Sequence, residues 1–586
     1  MVAVAVTCIK NGRTDSLGRP LIAGTYYPAV EINTANALWN AGYVTVADAS
    51  VFDQEPLAGT SPLDDFNVAR SIAISRQPIE TAANIAAELA ALPPRHGDCF
   101  VIGGQSNADG RGIIDGDVST PVPNVVMLDK GEAARLATEP VGEQVAGWIN
   151  NIPEGSFPGI PAHSFALEMG RNIARETGIV PLLVPCAIGS TTLSKWQPPI
   201  GNLDYTTLFG ALILRARTAQ ANGRLPIFCW YGHEGNAVSY GESLSTGTVG
   251  ISYDPYWRSL VNNVRDYFPT APFLFAQLSA VNDAALATKL RATGENQRRS
   301  ESLGATTIET PVAVGTITGS NAMTTVSGDV ITMVSNGSST YAALGAVLTI
   351  GQLYRIRMTV RGTGRVKLSS GSDGSDISDG RWDWIFIAGT TSVQIHRYLA
   401  GEPTNLTISG LSIAALSSYG IDNTHMVVTH DLPRNASPDD MHVSAVGQRE
   451  LGRRFSLAYQ QRVLKYSDVD GTGPRLVSVT STDSTHTKVK FTQPLAAAKA
   501  GETNYGDGTN SLFRVYDSGA EKSVSTVAID GGDPAAVIIT HASCAGVRVV
   551  TYGDRAGQDA AWRKGVVYNT AVNPLPAPMF GPVVSA

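Results

Sequence analysis

Cysteine is scarce in this chain: five residues in 586, an odd number, scattered over positions 8, 99, 186, 229 and 544. Cys99, Cys186 and Cys229 lie inside apolar, strand-like runs, so no disulfide framework is expected. No apolar stretch approaches the ~20 residues that span a bilayer, so no membrane helix is expected. The opening MVAVAVTCIKNGR has no basic n-region and no clear cleavage site, and reads as a strand rather than a signal peptide. Positive charge is not in surplus: 44 Lys and Arg face 51 Asp and Glu, for a net charge of -7. Nucleic acid and anionic membrane are therefore not expected partners. Collagen, heptad and solenoid repeats are also missing. What remains is an ordinary globular apolar fraction of 43%. At ~150 residues per domain, this length suggests about four domains.

Short β-branched runs recur at 99–104 (CFVIGG), 179–189, 225–232, 272–279 and 424–430. Amphipathic segments alternate with them. Phe165, Met169 and Ile173 are spaced by four and stop at Gly178, a plausible C′ residue. Trp257, Leu260, Val261 and Val264 follow i, i+3, i+4, i+7, after Asp254-Pro255 and before Pro269. A third segment runs from Ser444 to about Leu464. Near-continuous apolar strands alternating with such helices predict an α/β fold, with a parallel sheet covered on both faces. Ligands in such sheets bind at the carboxyl ends of the strands.

That rule selects a coherent set of residues. The first strand ends in Ser106, the second in Gly189-Ser190, the third in a turn containing Asn236, and the last leads to Asp439 and His442. A serine hydroxyl is a poor nucleophile unless a histidine takes its proton and a carboxylate orients that histidine. Backbone N–H groups and an amide supply donors for an oxyanion. These are the parts of an acyl-transfer site.

The blocks GQSNADG, PCAIGSTTLSKW, CWYGHEGNA and DDMHVSAVGQRELGRRF together resemble the SGNH hydrolase superfamily, within it the carbohydrate acetylesterases and sialate O-acetylesterases. The likeness covers roughly 95–302 and 419–465. It implies a three-layer, flavodoxin-like hydrolase domain. It also implies Ser106 as nucleophile, His442 as base and Asp439 as its partner, with the Ser106 and Gly189 amides and the Asn236 side chain as oxyanion donors. Gln105, Glu234 and Trp196 are the implied substrate contacts, and neither metal nor organic cofactor is implied.

Three departures keep alternatives open. Gly232-His233-Glu234 stands where the family usually has Gln-Gly-Glu. Ser190 replaces a second glycine, so Gly189 and Ser190 compete as donors. Asp440 adjoins Asp439, and only the Asp-x-x-His spacing separates them. His163, His425 and His430 compete with His442, His430 most directly because it ends the last strand. Each residue also has a bland reading: Ser106 as a turn residue, Asn236 as a left-handed one, the aspartates as helix-start charges. His233-Glu234 lacks the second histidine of HExxH, so a metal reading is weak.

Residues 303–418 read as an insertion, because alternating runs such as YRIRMTV and RWDWIFIA separated by Gly/Ser turns predict an antiparallel β-sandwich. It loosely resembles jelly-roll carbohydrate-binding modules. Trp382, Trp384 and Tyr398 either stack on sugars or fill its core. A second β-rich segment, 470–586, resembles the sandwich that follows the catalytic domain in sialate O-acetylesterase-like proteins. Residues 1–94 form a separate N-terminal module. INTANALWNAGYVTV and TAANIAAELAALPP look helical there, and its style is similar to small modules of phage tail proteins. The expectation is thus an O-acetylesterase for a glycan, whose partners are an O-acetylated polysaccharide and other phage tail proteins, in an oligomer. The expected location is a virion, otherwise extracellular or cytoplasmic. The rival readings are a non-catalytic glycan-binding tail protein and an esterase for lipid or peptidoglycan.

Overall fold

Alternation along the run CFVIGG organises the centre of the molecule. Cys99 and Val101 enter one apolar cluster, while Phe100 and Ile102 enter another, and all four are shielded from solvent. A strand buried on both sides in this way must lie inside a covered sheet. In the structure, a computed structural model, it is the middle strand of seven: β1 (Asp98–Gly104), β2 (Val122–Leu128), β3 (Ala134–Ala137), β4 (Leu182–Pro185), β5 (Leu225–Tyr231), β6 (Phe273–Ala276) and β7 (Thr424–Val427). Their order is β7-β6-β5-β1-β4-β2-β3, parallel throughout except for β3. The structure describes residues 98–113, 120–129, 134–141, 162–198, 206–220, 225–232, 255–278, 293–302 (except 296), 309–369 (except 351), 380–397 (except 389), 401–417 (except 402), 420–435, 441–496, 512–553, 566–570 and 575–585, together with short strands before residue 47.

The helices α1 (Phe165–Thr177), α2 (Leu208–Gln220), α3 (Pro255–Arg265) and α4 (Ala445–Ala458) divide between the two clusters. Phe165, Met169 and Ile173 of α1 and Leu451 and Phe455 of α4 fill the Phe100 side. Phe165 and Phe455 stack at 4.5 Å. Phe209, Leu212 and Ile213 of α2 and Trp257, Leu260, Val261 and Val264 of α3 fill the other. Fully burying each such side chain is worth about 1.5–3 kcal/mol. The caps follow the sequence signals. Ser164 Oγ accepts from the Ala166 amide, Gly178 closes α1 in the left-handed conformation, and Ser444 Oγ accepts from the Gly447 amide. Helix α4 ends in a π-turn over Tyr459–Val463.

Between the adjacent strands β6 and β7 the chain builds two antiparallel sheets within 309–416. They share one apolar cluster, in which Ile331, Ile356 and Ile408 of one sheet meet Leu344, Leu368 and Ile395 of the other. Trp382 and Trp384, two residues apart on one strand, both fill that cluster. The stacking role considered for them is excluded by burial. Tyr398 lies outside the described residues. A second pair of antiparallel sheets, within 476–584, shares another cluster. At the N-terminus, Ala3–Cys8 pairs with Tyr26–Glu31 and Val44–Val46. The last three residues of INTANALWNAGYVTV are thus strand rather than helix, and TAANIAAELAALPP lies outside the described residues. Cys99, Cys186, Cys229 and Cys544 are buried free thiols. Among the described residues no helix is long and apolar enough to cross a membrane.

Candidate active site

Strand β1 ends in two glycines that admit no side chain. A Cβ on Gly103 would lie 2.7 Å from the Trp230 ring, and one on Gly104 would lie 1.9 Å from the Tyr231 carbonyl oxygen. Gly104 also has φ +125°, a region glycine occupies freely. The chain therefore hugs β5 to its end and then turns. Gln105, buried, donates its N–H to the Tyr231 carbonyl at 3.0 Å. Ser106 follows, opening the short helix Ser106–Asp109 at the carboxyl end of the sheet.

His442 reaches it from 336 residues away: its Nε2 lies 2.9 Å from Ser106 Oγ. The backbone fixes this approach. The Asn435 amide donates to the His442 carbonyl at 2.9 Å, and the Ser444 amide to the Pro433 carbonyl at 2.9 Å. Next door, the Val443 amide donates to Asn107 Oδ1 at 2.9 Å. Gln448 clamps the same corner, donating to the Asn107 carbonyl at 3.1 Å and accepting from the Phe165 amide at 3.0 Å. Asp439, Asp440, Glu234 and Asn236 lie outside the described residues.

Gly189 is brought alongside. The Cys186 and Ile188 amides donate to the Ile102 and Gly104 carbonyls at 2.8 and 3.0 Å, prolonging the pairing of β4 with β1. A Cβ on Gly189 would lie 3.8 Å from Ser106 Cβ. Ser190 is exposed, with φ 58°. Trp196 does not face an open site. It is 1% exposed, meets the edge of Trp230 at 5.2 Å and donates Nε1 to Thr191 Oγ1 at 3.0 Å. Thr191 in turn donates to the Ile188 carbonyl at 2.7 Å. The expected substrate contact is corrected to a core residue that braces the Gly189 turn, because its indole is consumed by packing.

The competing histidines are committed elsewhere. His430 Nε2 bonds the Ala577 carbonyl at 2.7 Å, inside the junction with the C-terminal segment. His425 is buried, its pKa pushed down to about 3 by burial and by surrounding cations such as Arg462. His163 pairs through its backbone with Gly112 and lies 3.8 Å from Glu139. Among the described residues no cluster of His, Cys, Asp and Glu could hold a metal ion.

One part of the site was not anticipated from the sequence. Asp109 and Arg111 form a buried ion pair at 2.6 Å, and Arg111 Nη2 would lie 3.0 Å from a Cβ on Gly189. The pair forms two residues apart because Gly110, at φ +106°, folds the chain back. Asn435 links it to the histidine loop by donating to the Arg111 carbonyl at 2.7 Å. Burial raises Asp109 to about 6, overcoming the pull of Arg111. A folded pKa above the ordinary 3.8 means this group's stabilising contribution is complete below pH ~4 and lost as pH rises through ~6, roughly 3 kcal/mol in all. Asp109→Asn mimics the protonated form. Its unfolding free energy, relative to wild type, should rise by that order between pH 4.5 and 7.5. A difference that stays constant over this range would refute the assignment.

A serine hydroxyl hydrogen-bonded to a histidine at the carboxyl ends of a parallel sheet is an arrangement able to carry out nucleophilic acyl transfer. Residues 96–312 match the family described as carbohydrate esterase, sialic acid-specific acetylesterase. Among solved structures, a carbohydrate acetylesterase from Xanthomonas citri is 14% identical, with 83% of this chain and 80% of that one covered, at a TM-score of 0.44. A protein from Arabidopsis thaliana is 19% identical over 35% of this chain and 81% of its own, at 0.25. The enzymatically active domain of a tailspike protein from bacteriophage CBA120 is 12% identical over 19% of each chain, at 0.12. No curated protein matches the chain.

Proposed function

We propose that this chain is a serine esterase of SGNH type that removes O-acetyl groups from a glycan. The observation that carries the reading is the 2.9 Å contact between Ser106 Oγ and His442 Nε2, made by residues from opposite ends of the hydrolase segment. With Nε2 on the serine, Nδ1 is the atom left for an orienting carboxylate, and Asp439, three residues upstream, is assigned that role. His442 takes the Ser106 proton as the oxygen attacks the acetyl carbonyl carbon. Negative charge then develops on the former carbonyl oxygen, and the Ser106 and Gly189 amides with the Asn236 side chain receive it. Collapse expels the sugar hydroxyl, which takes the proton back from His442. Water, deprotonated by the same histidine, attacks the acetyl-serine, and acetate leaves.

On this reading 95–302 and 419–465 form one discontinuous three-layer hydrolase domain. Residues 303–418 are an inserted β-sandwich, 470–586 a C-terminal one, and 1–94 an attachment module for a phage tail. The test of the chemistry is acetate release from a panel of O-acetylated polysaccharides and from an aryl acetate. Wild type should release acetate, and folded Ser106→Ala should retain at most about 10⁻⁴ of the rate. Equal release by both would end the Ser106 assignment. Activity that rises with acyl chain length would transfer the substrate from glycan to lipid.

A further inference from the structure

Away from Ser106, helix α3 faces the strands Leu353–Thr363 and Gly380–Ile387 across a cleft of about 450 Å³, a size ordinary for small-molecule sites. Its lining is mixed: Ser259, Asn262, Asn263 and Asp266 from the helix end, Arg355, Arg357, Arg381 and Asp383 from the strands, with Met358 and Trp382 among them. The floor is fixed. Arg355 is clamped between Asp383 and Glu309, Asn262 donates to Asp383, and the Asp383 amide donates to Ser259 Oγ at 2.9 Å. Arg265 is spent on the Asn423 carbonyl at 3.2 Å and the face of Phe273.

The remaining groups are under-used. Arg357 is 49% exposed and stands 3.6 Å from both Glu309 and Asp383, beyond hydrogen-bonding range. Arg381 is 55% exposed and, among the described residues, pairs with Asp266 at 3.2 Å. Asn263 Nδ2 is buried without a hydrogen-bond partner. A buried amide donor left unsatisfied costs roughly 1–3 kcal/mol, so its partner is expected to arrive with a ligand. Two guanidinium forks and an unpaired amide lining one cleft suit a carboxylate beside a hydroxyl or ring oxygen. The whole chain carries -7, so a general excess of positive charge does not explain these arginines.

We propose that this cleft is a second, non-catalytic binding site for an acidic glycan, with Arg357 and Arg381 gripping a sugar carboxylate and Asn263 donating to an adjacent sugar oxygen. Its ligand class rests on the glycan-esterase reading. The cleft lies towards the opposite end of the sheet from Ser106: α3 starts where Gln197, just after the turn Leu193–Trp196, donates to the Tyr256 carbonyl at 3.0 Å, and ends where Arg265 donates to the Asn423 carbonyl just before β7. At 1.5 Å per residue, Asn263 lies about 10 Å further along the same helix. A polysaccharide held there would stay tethered to the enzyme, away from Ser106, between successive deacetylations.

The test is titration of the full-length Ser106→Ala protein with trigalacturonate and with a neutral galactose trisaccharide at low salt. Saturable binding of the acid, at least tenfold tighter than the neutral sugar, is expected. Asn263→Ala, and separately the rim pair Arg357→Ala with Arg381→Ala, should each weaken it tenfold or more. The same substitutions on the Ser106 background should leave aryl-acetate turnover unchanged. Absence of trigalacturonate binding, or variants that bind like the parent, would overturn the proposal. So would displacement by equimolar inorganic phosphate, which would reduce the cleft to a simple anion trap. Failure of the esterase reading would register separately, as absent acetate release with cleft binding intact.

Discussion

His442→Ala is expected to lower kcat/KM on an aryl acetate by about 10⁴-fold, and adding it to Ser106→Ala should slow the enzyme no further. The hydroxyl and the imidazole act as one unit: without the base, the proton has nowhere to go as the oxygen attacks, and without the serine, the base has no nucleophile to activate. Non-additivity is therefore the signature, stronger than either loss alone. The measurement is a double-mutant cycle on turnover, with circular dichroism to confirm folding. Asn107→Ala gives the contrast. It removes the acceptor for the Val443 amide, which positions the histidine, and leaves both reacting groups in place. Its loss should be smaller, and it should disappear on the His442→Ala background. If the Ser106 and His442 losses multiply instead, the two residues act independently and the proposed mechanism fails.

Both ends of that hydrogen bond were legible in the sequence because each is written locally. An apolar run ending in Gly103-Gly104 can only be a strand that meets a close neighbour, and Ser444 followed by an amphipathic segment marks a helix start just beyond His442. Helix α2 was not legible. Twelve consecutive residues, Leu208 to Ala219, are buried, so no polar stripe marks its period. Arg215 looks like a surface residue, yet it is fully buried and donates to the Leu128 carbonyl at 2.8 Å. The strands β2 and β3, at one side of the sheet, went unread as well. Asp109 and Arg111 went unread too, since nothing in a linear sequence reveals that Gly110 folds one charge onto the other beside Gly189. Trp196 misled for the opposite reason. A tryptophan near a catalytic turn suggests stacking on sugar, but its burial depends on a partner, Trp230, that lies a whole strand away.

The C-terminal segment read as an appended module, and its contacts tie it to the sheet domain that carries Ser106 and His442. Gln277, just beyond β6, exchanges two hydrogen bonds of 2.9 Å with the backbone of Met579. Tyr568 donates to Asp431 Oδ2 at 2.9 Å, and Asp431 receives both arms of Arg454 at 2.6 and 2.7 Å. Asp431 begins the stretch that ends in His442, so this buried cluster anchors the segment that carries the proposed base. Arg454→Met should cost about 3–5 kcal/mol, because it strands a buried carboxylate that fits the fold only when paired. Replacing both partners, Arg454→Met with Asp431→Asn, should cost less than the single change. The pH dependence supplies a second check. Burial alone would raise Asp431, but Arg454 holds it down to about 2, below its ordinary 3.8. A depressed folded pKa gives stability that is present above pH ~4 and lost as pH falls towards 2, roughly 2 kcal/mol. The deficit of Arg454→Met relative to wild type, read by urea unfolding, should therefore be largest at neutral pH and shrink in acid. A deficit that is unchanged from pH 7 to pH 3 would mean that Arg454 stabilises the fold by packing its stem, and that the charge pair contributes nothing.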